Sequence, residues 1–74
     1  MNIREKTCII IKKNGHFLVG RSMLTSALNW STSPWDAWHT RRRDKAFIIA
    51  DKVGGQRMLF NPIAGQLREL IVND

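Results

Sequence analysis

The chain predicts an α+β fold: a small antiparallel sheet of three to four strands with helices on one face. Three observations carry that expectation. Residues 6–12 are dense in β-branched side chains, Asn14-Gly15 follows as a hairpin turn, and Ala46, Ile49, Ala50 and Val53 repeat at helical spacing farther along. With 74 residues and no internal repeat or linker, the chain forms one domain, residues 1–74.

The first strand is expected to be central, because Cys8, Ile9, Ile10 and Ile11 leave neither face polar. Asn14 and Gly15 both tolerate the positive φ of a type I′ turn, so His16–Arg21 returns as the second strand. Leu24, Leu28 and Trp30 suit a third strand after a turn near Thr25 and Ser26, or else a wide loop. Ser33-Pro34 marks a helical start, with Ser as cap, Pro in the first position and Asp36 in the third. The expected result is one short turn, 34–39, with Trp35 and Trp38 on one side.

The main helix is expected over 41–53. Thr40 caps it, Phe47 flanks its apolar stripe, and Gly54-Gly55 ends it. Residues 56–60 read as another strand. Asn61-Pro62 is a second cap-and-first-turn pair, and Ile63, Leu67, Leu70 and Ile71 follow at helical spacing. A C-terminal helix over 62–72 is therefore expected, with Gly65 as its weak point and an extended arm as the alternative. Its apolar stripe packs on the sheet or serves as a homodimer contact.

The chain's one cysteine, Cys8, excludes an intrachain disulfide. With His16 and His39 as the only histidines, no closed zinc site forms without carboxylates, so no metal is expected. Within its apolar run, Cys8 reads as a small buried hydrophobe. The early apolar run is too short for a signal peptide, and no stretch approaches a membrane span. A cytoplasmic protein with no membrane partner is expected.

The net charge is +6, and half of that excess lies in residues 39–45, where Arg41, Arg42, Arg43 and Lys45 face Asp44 alone. A local positive field favours phosphate-rich or acidic partners. Just upstream, Trp30, Trp35 and Trp38 fall within nine residues. Three indoles so close are hard to bury together, so at least one is expected to reach solvent. Guanidinium groups beside aromatic planes are the chemistry of phosphate and base recognition, and also of protein-binding hot spots. Arginines at a helix N-terminus oppose the macrodipole, but they become favourable when an anion docks there.

Catalytic signatures are missing. No paired carboxylates, Gly-x-Ser-x-Gly, Walker loop or His-Glu-x-x-His occurs. Asp36 and His39, three apart beside Ser31 and Ser33, are the nearest approach to a triad. The expectation is a non-enzymatic module without a cofactor. In it, Arg41, Arg42, Arg43 and Lys45 contact phosphates, and Lys12, Lys13 and Arg21 form a second patch on the hairpin. Trp30, Trp35, Trp38 and His39 supply stacking or interface contacts.

The hairpin Lys12-Lys13-Asn14-Gly15 and the junction Thr40 to Ala50, Thr-basic-basic-basic-Asp-x-Ala-x-x-x-Ala, resemble the arm-type DNA-binding domains of phage integrases and the related Apetala-type domains. The likeness spans about half the chain and rests on the fold rather than on a site. It implies a three-stranded sheet laid in the DNA major groove, with Lys12, Lys13 and Arg21 facing DNA. The chain departs from that pattern by adding Gln56 to Asp74 and by lacking basic alternation on its second strand. Its small, basic character is also similar to that of phage accessory proteins, including the anti-CRISPR class, with which it shares no motif.

The partner expected is therefore nucleic acid or a nucleic-acid-handling protein. The leading expectation is a basic, nucleic-acid-associated binding module of phage or mobile-element type. The alternatives are an inhibitor gripping a protein effector through the Trp/Arg surface, and a protein that sequesters a nucleotide.

Overall fold

The computed structural model describes residues 7–21 and 27–70. Its element order is β1 (Cys8–Lys13), β2 (His16–Arg21), β3 (Leu28–Ser31), a 3-10 turn (Pro34–Asp36), α1 (Arg43–Val53), β4 (Gln56–Asn61) and β5 (Gln66–Glu69). The strands form one antiparallel sheet in the order β3-β2-β1-β4-β5. The fold is α+β, with five strands and one helix among the described residues.

Strand β1 is central because its side chains are apolar on both faces, and Cys8 to Ile11 are all buried. Ile9 and Ile11 point to the helix face, where Leu18, Ala46 and Ala50 complete a core flanked by Trp30, Trp38, Ile49, Val53, Leu59 and Leu70. Cys8 and Ile10 point to the opposite face and pack with Phe17, Ala37, Met58, Phe60 and Leu67. Asn14 (φ 52°) and Gly15 (φ 78°) both adopt the positive φ that a two-residue type I′ hairpin requires. The third strand forms as Leu28–Ser31, while Leu24 and the turn near Thr25 and Ser26 lie outside the described residues.

The helix starts at Arg43 rather than 41, and Arg42 rather than Thr40 is its cap residue. Thr40 is held instead in a bridge to Ile9, and Arg42 stays extended (φ −90°, ψ 117°). The Thr40 hydroxyl still accepts the Arg42 N–H at 3.1 Å. The helix ends where expected, at left-handed Gly54. Lys13 Nζ donates to the Val53 carbonyl at 2.9 Å, placing a cation at the negative end of the helix dipole.

The expected C-terminal helix does not form over its described residues, 62–70, where Gln66–Glu69 takes the extended alternative as a fifth strand. The Asn61 side-chain oxygen accepts the N–H groups of Ile63 (3.0 Å) and Ala64 (3.3 Å), and Gly65 N–H donates to the Asn61 carbonyl at 2.7 Å. One helical turn thus begins at the expected cap. Gly65 then takes a left-handed φ of 69° and reverses the chain, so Gln66–Glu69 pairs with β4. Leu67 packs on one face of the sheet and Leu70 on the other, so these two residues of the apolar stripe pack on the sheet, the first of the two expectations.

Candidate functional site

Beyond the hairpin tip, β1 and β2 part. Their pairing covers Lys12 with Phe17 and Lys13 with His16. The backbone groups they leave are taken by residues 38–40. Ile9 exchanges both hydrogen bonds with Thr40 (2.8 and 3.1 Å), and Trp38 N–H donates to the Leu18 carbonyl at 2.8 Å. Residues 38–40 therefore run between the two strands, and the side chains from 37 to 41 alternate across the sheet. Ala37 packs into the core opposite the helix and Trp38 into the helix-side core. His39 and Arg41 return to the Ala37 side, where both line a cleft with Cys8 and Ile10.

The 3-10 turn is shorter than the 34–39 expected, because Ala37 is already extended (ψ 145°). Ser33 is its cap residue but makes no side-chain cap bond. The Ser31 hydroxyl takes that work, accepting the Ser33 N–H at 3.0 Å and donating to the Asp36 carboxylate at 3.3 Å. Trp35 and Trp38 consequently do not share a side. Trp38 is half-buried beneath the helix, whereas Trp35 stands on the other face with 61% of its surface exposed.

Exposed as it is, Trp35 is held in place. Its ring meets Phe60 edge-on, with centroids 5.3 Å apart and planes at 88°. Its Nε1 donates to the Pro62 carbonyl at 3.2 Å. The β4–β5 turn comes close to the far end of the indole, since a Cβ built on Gly65 would lie 3.5 Å from ring atoms Cζ2 and Cη2. The result is a cleft of about 550 Å³. Phe60, Ile10 and Cys8 form its floor, Pro34, Trp35 and Pro62 its walls, and His39 and Arg41 its polar edge. That volume lies within the roughly 300–1,000 Å³ of small-molecule and cofactor sites.

No family model, curated protein or solved structure matches this chain.

The electrostatics of the cleft centre on Arg41. Burial pushes the Cys8 thiol above its ordinary 9.0, and the Arg41 charge partly opposes that rise. The thiol is protonated at neutral pH and points to the Phe60 carbonyl at 3.6 Å. Arg42 is next to the cleft residue in sequence but pairs with Asp44 at 3.1 Å, and both side chains are well exposed. The Arg42 guanidinium and the Lys45 N–H hold the Asp44 carboxyl below its usual range. An ion pair this exposed is screened and contributes little to stability. Arg43 opens the helix and is exposed.

The remaining expected site residues are dispersed. Trp30 is half-buried and lines a shallow hollow at the hairpin end with Lys13, Asn14 and His16. Trp38, Lys45 and Arg21 line a groove on the helix side of the sheet. Lys12 is half-buried, and Lys13 is engaged at the helix C-terminus. The three indoles thus lie at three places, and the cleft unites Trp35, His39 and Arg41. Phe60, Pro62 and Cys8 escaped the sequence reading as cleft residues. Only the β1–β4 register, which sets Cys8 opposite Phe60, brings them together.

Among the described residues no group of His, Cys, Asp and Glu is arranged to hold a metal ion, and no helix is long and apolar enough to cross a membrane.

Proposed function

We propose that this protein is a non-catalytic nucleic-acid-binding module whose Trp35 cleft holds an unpaired base. The observation that carries this reading is the indole itself. It is 61% exposed, yet Phe60 and the Pro62 carbonyl fix it in one orientation. A ring already fixed in one orientation loses little entropy on binding, and its exposed surface is open for a ligand to cover. Stacking of a base on such a ring is worth roughly 1–3 kcal/mol.

Arg41 and His39 supply the polar half of the site. Arg41 opens the cationic run Arg41-Arg42-Arg43, which continues from the cleft edge toward the helix, so a backbone phosphate attached to the stacked base meets positive charge. The Arg42–Asp44 pair is weak enough to exchange for a phosphate. In this reading Lys12, Lys13 and Arg21 add long-range attraction and do not touch the base. The protein acts in the cytoplasm, where the Cys8 thiol stays reduced.

Fluorescence anisotropy with a labelled oligothymidine and with a duplex of equal length tests the assignment. The single strand should bind more tightly, and its affinity should fall as salt rises. Arg41→Ala should weaken binding and flatten the salt dependence by about one phosphate contact. Equal affinity for the two nucleic acids, or an unchanged Arg41→Ala titration, would contradict the reading.

A further inference from the structure

The groove on the helix side of the sheet is distinct from the Trp35 cleft and differs from it in chemistry. It runs between α1 and strands β2 and β3, with a volume of about 350 Å³. Leu18, Trp38, Ile49 and Val53 form its apolar lining, and Leu28, on an edge strand, brings a solvent-exposed side chain to its border. Arg21, Lys45 and Lys52 bring three cations to the same groove, and no carboxylate is among the described residues that line it.

We infer that this groove docks an acidic segment of a protein partner that inserts a bulky apolar side chain. Two features favour that occupant over nucleic acid. The lining is mainly aliphatic, with Trp38 half-buried among it, so it offers apolar side chains a place to bury and offers a base no open ring to stack on. The cations stand around an apolar centre, which is the arrangement of an interface with a water-excluding middle and a charged rim. Carboxylates flanking the anchor would meet Lys45 and Lys52 from the helix and Arg21 from the end of β2. The volume, at the low end for ligand clefts, admits side chains of an extended or single-turn segment rather than a whole folded element.

The inference is independent of the nucleic-acid reading, because Trp38 and Trp35 lie on opposite faces of the sheet. The test uses the full chain and a short fluorescein-labelled synthetic peptide in which glutamates flank a Leu-x-x-Phe pair. Two control peptides replace the glutamates by glutamine, or the Leu and Phe by serine. Amide chemical shifts locate the contact, and anisotropy gives the affinity.

The inference predicts saturable shifts centred on Leu28, Lys45, Ile49 and Lys52, with each control peptide at least tenfold weaker. Leu28→Ser, and Lys45→Glu combined with Lys52→Glu, should each weaken the acidic peptide at least tenfold, while Leu28→Ser leaves oligothymidine affinity unchanged. No saturable shift, equal binding of either control peptide, or shifts mapping to Trp35 and Arg41 would overturn it. Concentration-dependent shifts at the groove without peptide would also overturn it, by making a second copy of this chain the occupant.

Discussion

Replacing Trp35 separates the two roles this residue could have, because the structure allows the cost of each to be worked out. The ring is 61% exposed, so folding covers about two-fifths of it. Full burial of a tryptophan removes about 150–250 Å², so this partial burial withdraws roughly 60–100 Å², worth about 1.5–2.5 kcal/mol. That figure is an upper bound, since unfolded chains already bury some surface. The edge contact with Phe60 adds about 0.5–1.5 kcal/mol. Trp35→Ala also loses the bond from Nε1 to the Pro62 carbonyl, about 1 kcal/mol, and should therefore cost about 3–5 kcal/mol in all, against the roughly 4–11 kcal/mol expected for a domain of this size. Trp35→Phe keeps a ring and loses the bond from Nε1 to the Pro62 carbonyl, about 1 kcal/mol.

Binding separates the two variants differently. Loss of a stacked base at about 1–3 kcal/mol lowers affinity roughly 5- to 150-fold in Trp35→Ala. Trp35→Phe should stay within a few-fold of wild type. Urea denaturation gives the folded fraction of each variant, and oligothymidine anisotropy at a temperature where all three are folded gives the affinity. If Trp35→Ala lost stability but bound as tightly per folded molecule, Trp35 would be a structural residue and the stacking argument would fail.

Two further outcomes test the packing and the protonation. Gly55→Ala should destabilise the fold by about 1–3 kcal/mol through overpacking, read as a lower urea midpoint, because its Cβ would sit 2.7 Å from Ile11 Cγ2 and 3.2 Å from the Lys12 carbonyl oxygen. The Cys8 thiol has a raised pKa in the folded state, so the native chain keeps this proton to higher pH than the unfolded chain. Its contribution to stability is complete below the unfolded value of 9.0 and declines as pH rises through the folded value. The urea midpoint of wild type should fall more steeply above about pH 9 than that of Cys8→Ala; parallel profiles would show that the thiol's burial carries no linkage.

The parts of this fold that local chemistry decides could be read from the chain. The I′ turn needs only Asn14 and Gly15, the C-cap needs only Gly54, and a strand apolar on both faces announces that it is central. The parts decided by pairing could not. Leu67 and Leu70 are three apart, which suits one helical face, and it suits a strand equally well when both faces of the sheet are covered. The Asn61 cap began a helical turn as its sequence predicts, and left-handed Gly65 ended it. The same logic separated Trp35 from Trp38, since residues 37–41 took strand alternation from bonds to Ile9 and Leu18. The indole and arginine of the cleft were legible as residue types. Their joint placement depended on the long-range bonds that seat residues 38–40 between β1 and β2, and on Phe60 and Pro62 brought against Trp35 by β4 and its turn, neither of which leaves a local signature.

A variant retaining Trp35 as its only tryptophan, with Trp30→Phe and Trp38→Phe, puts the matter to one titration. Adding oligothymidine should quench Trp35 emission saturably, with the same midpoint as the anisotropy of the labelled strand. A complex that forms by anisotropy while Trp35 emission stays constant would mean that the base rests elsewhere and that this indole does not hold it.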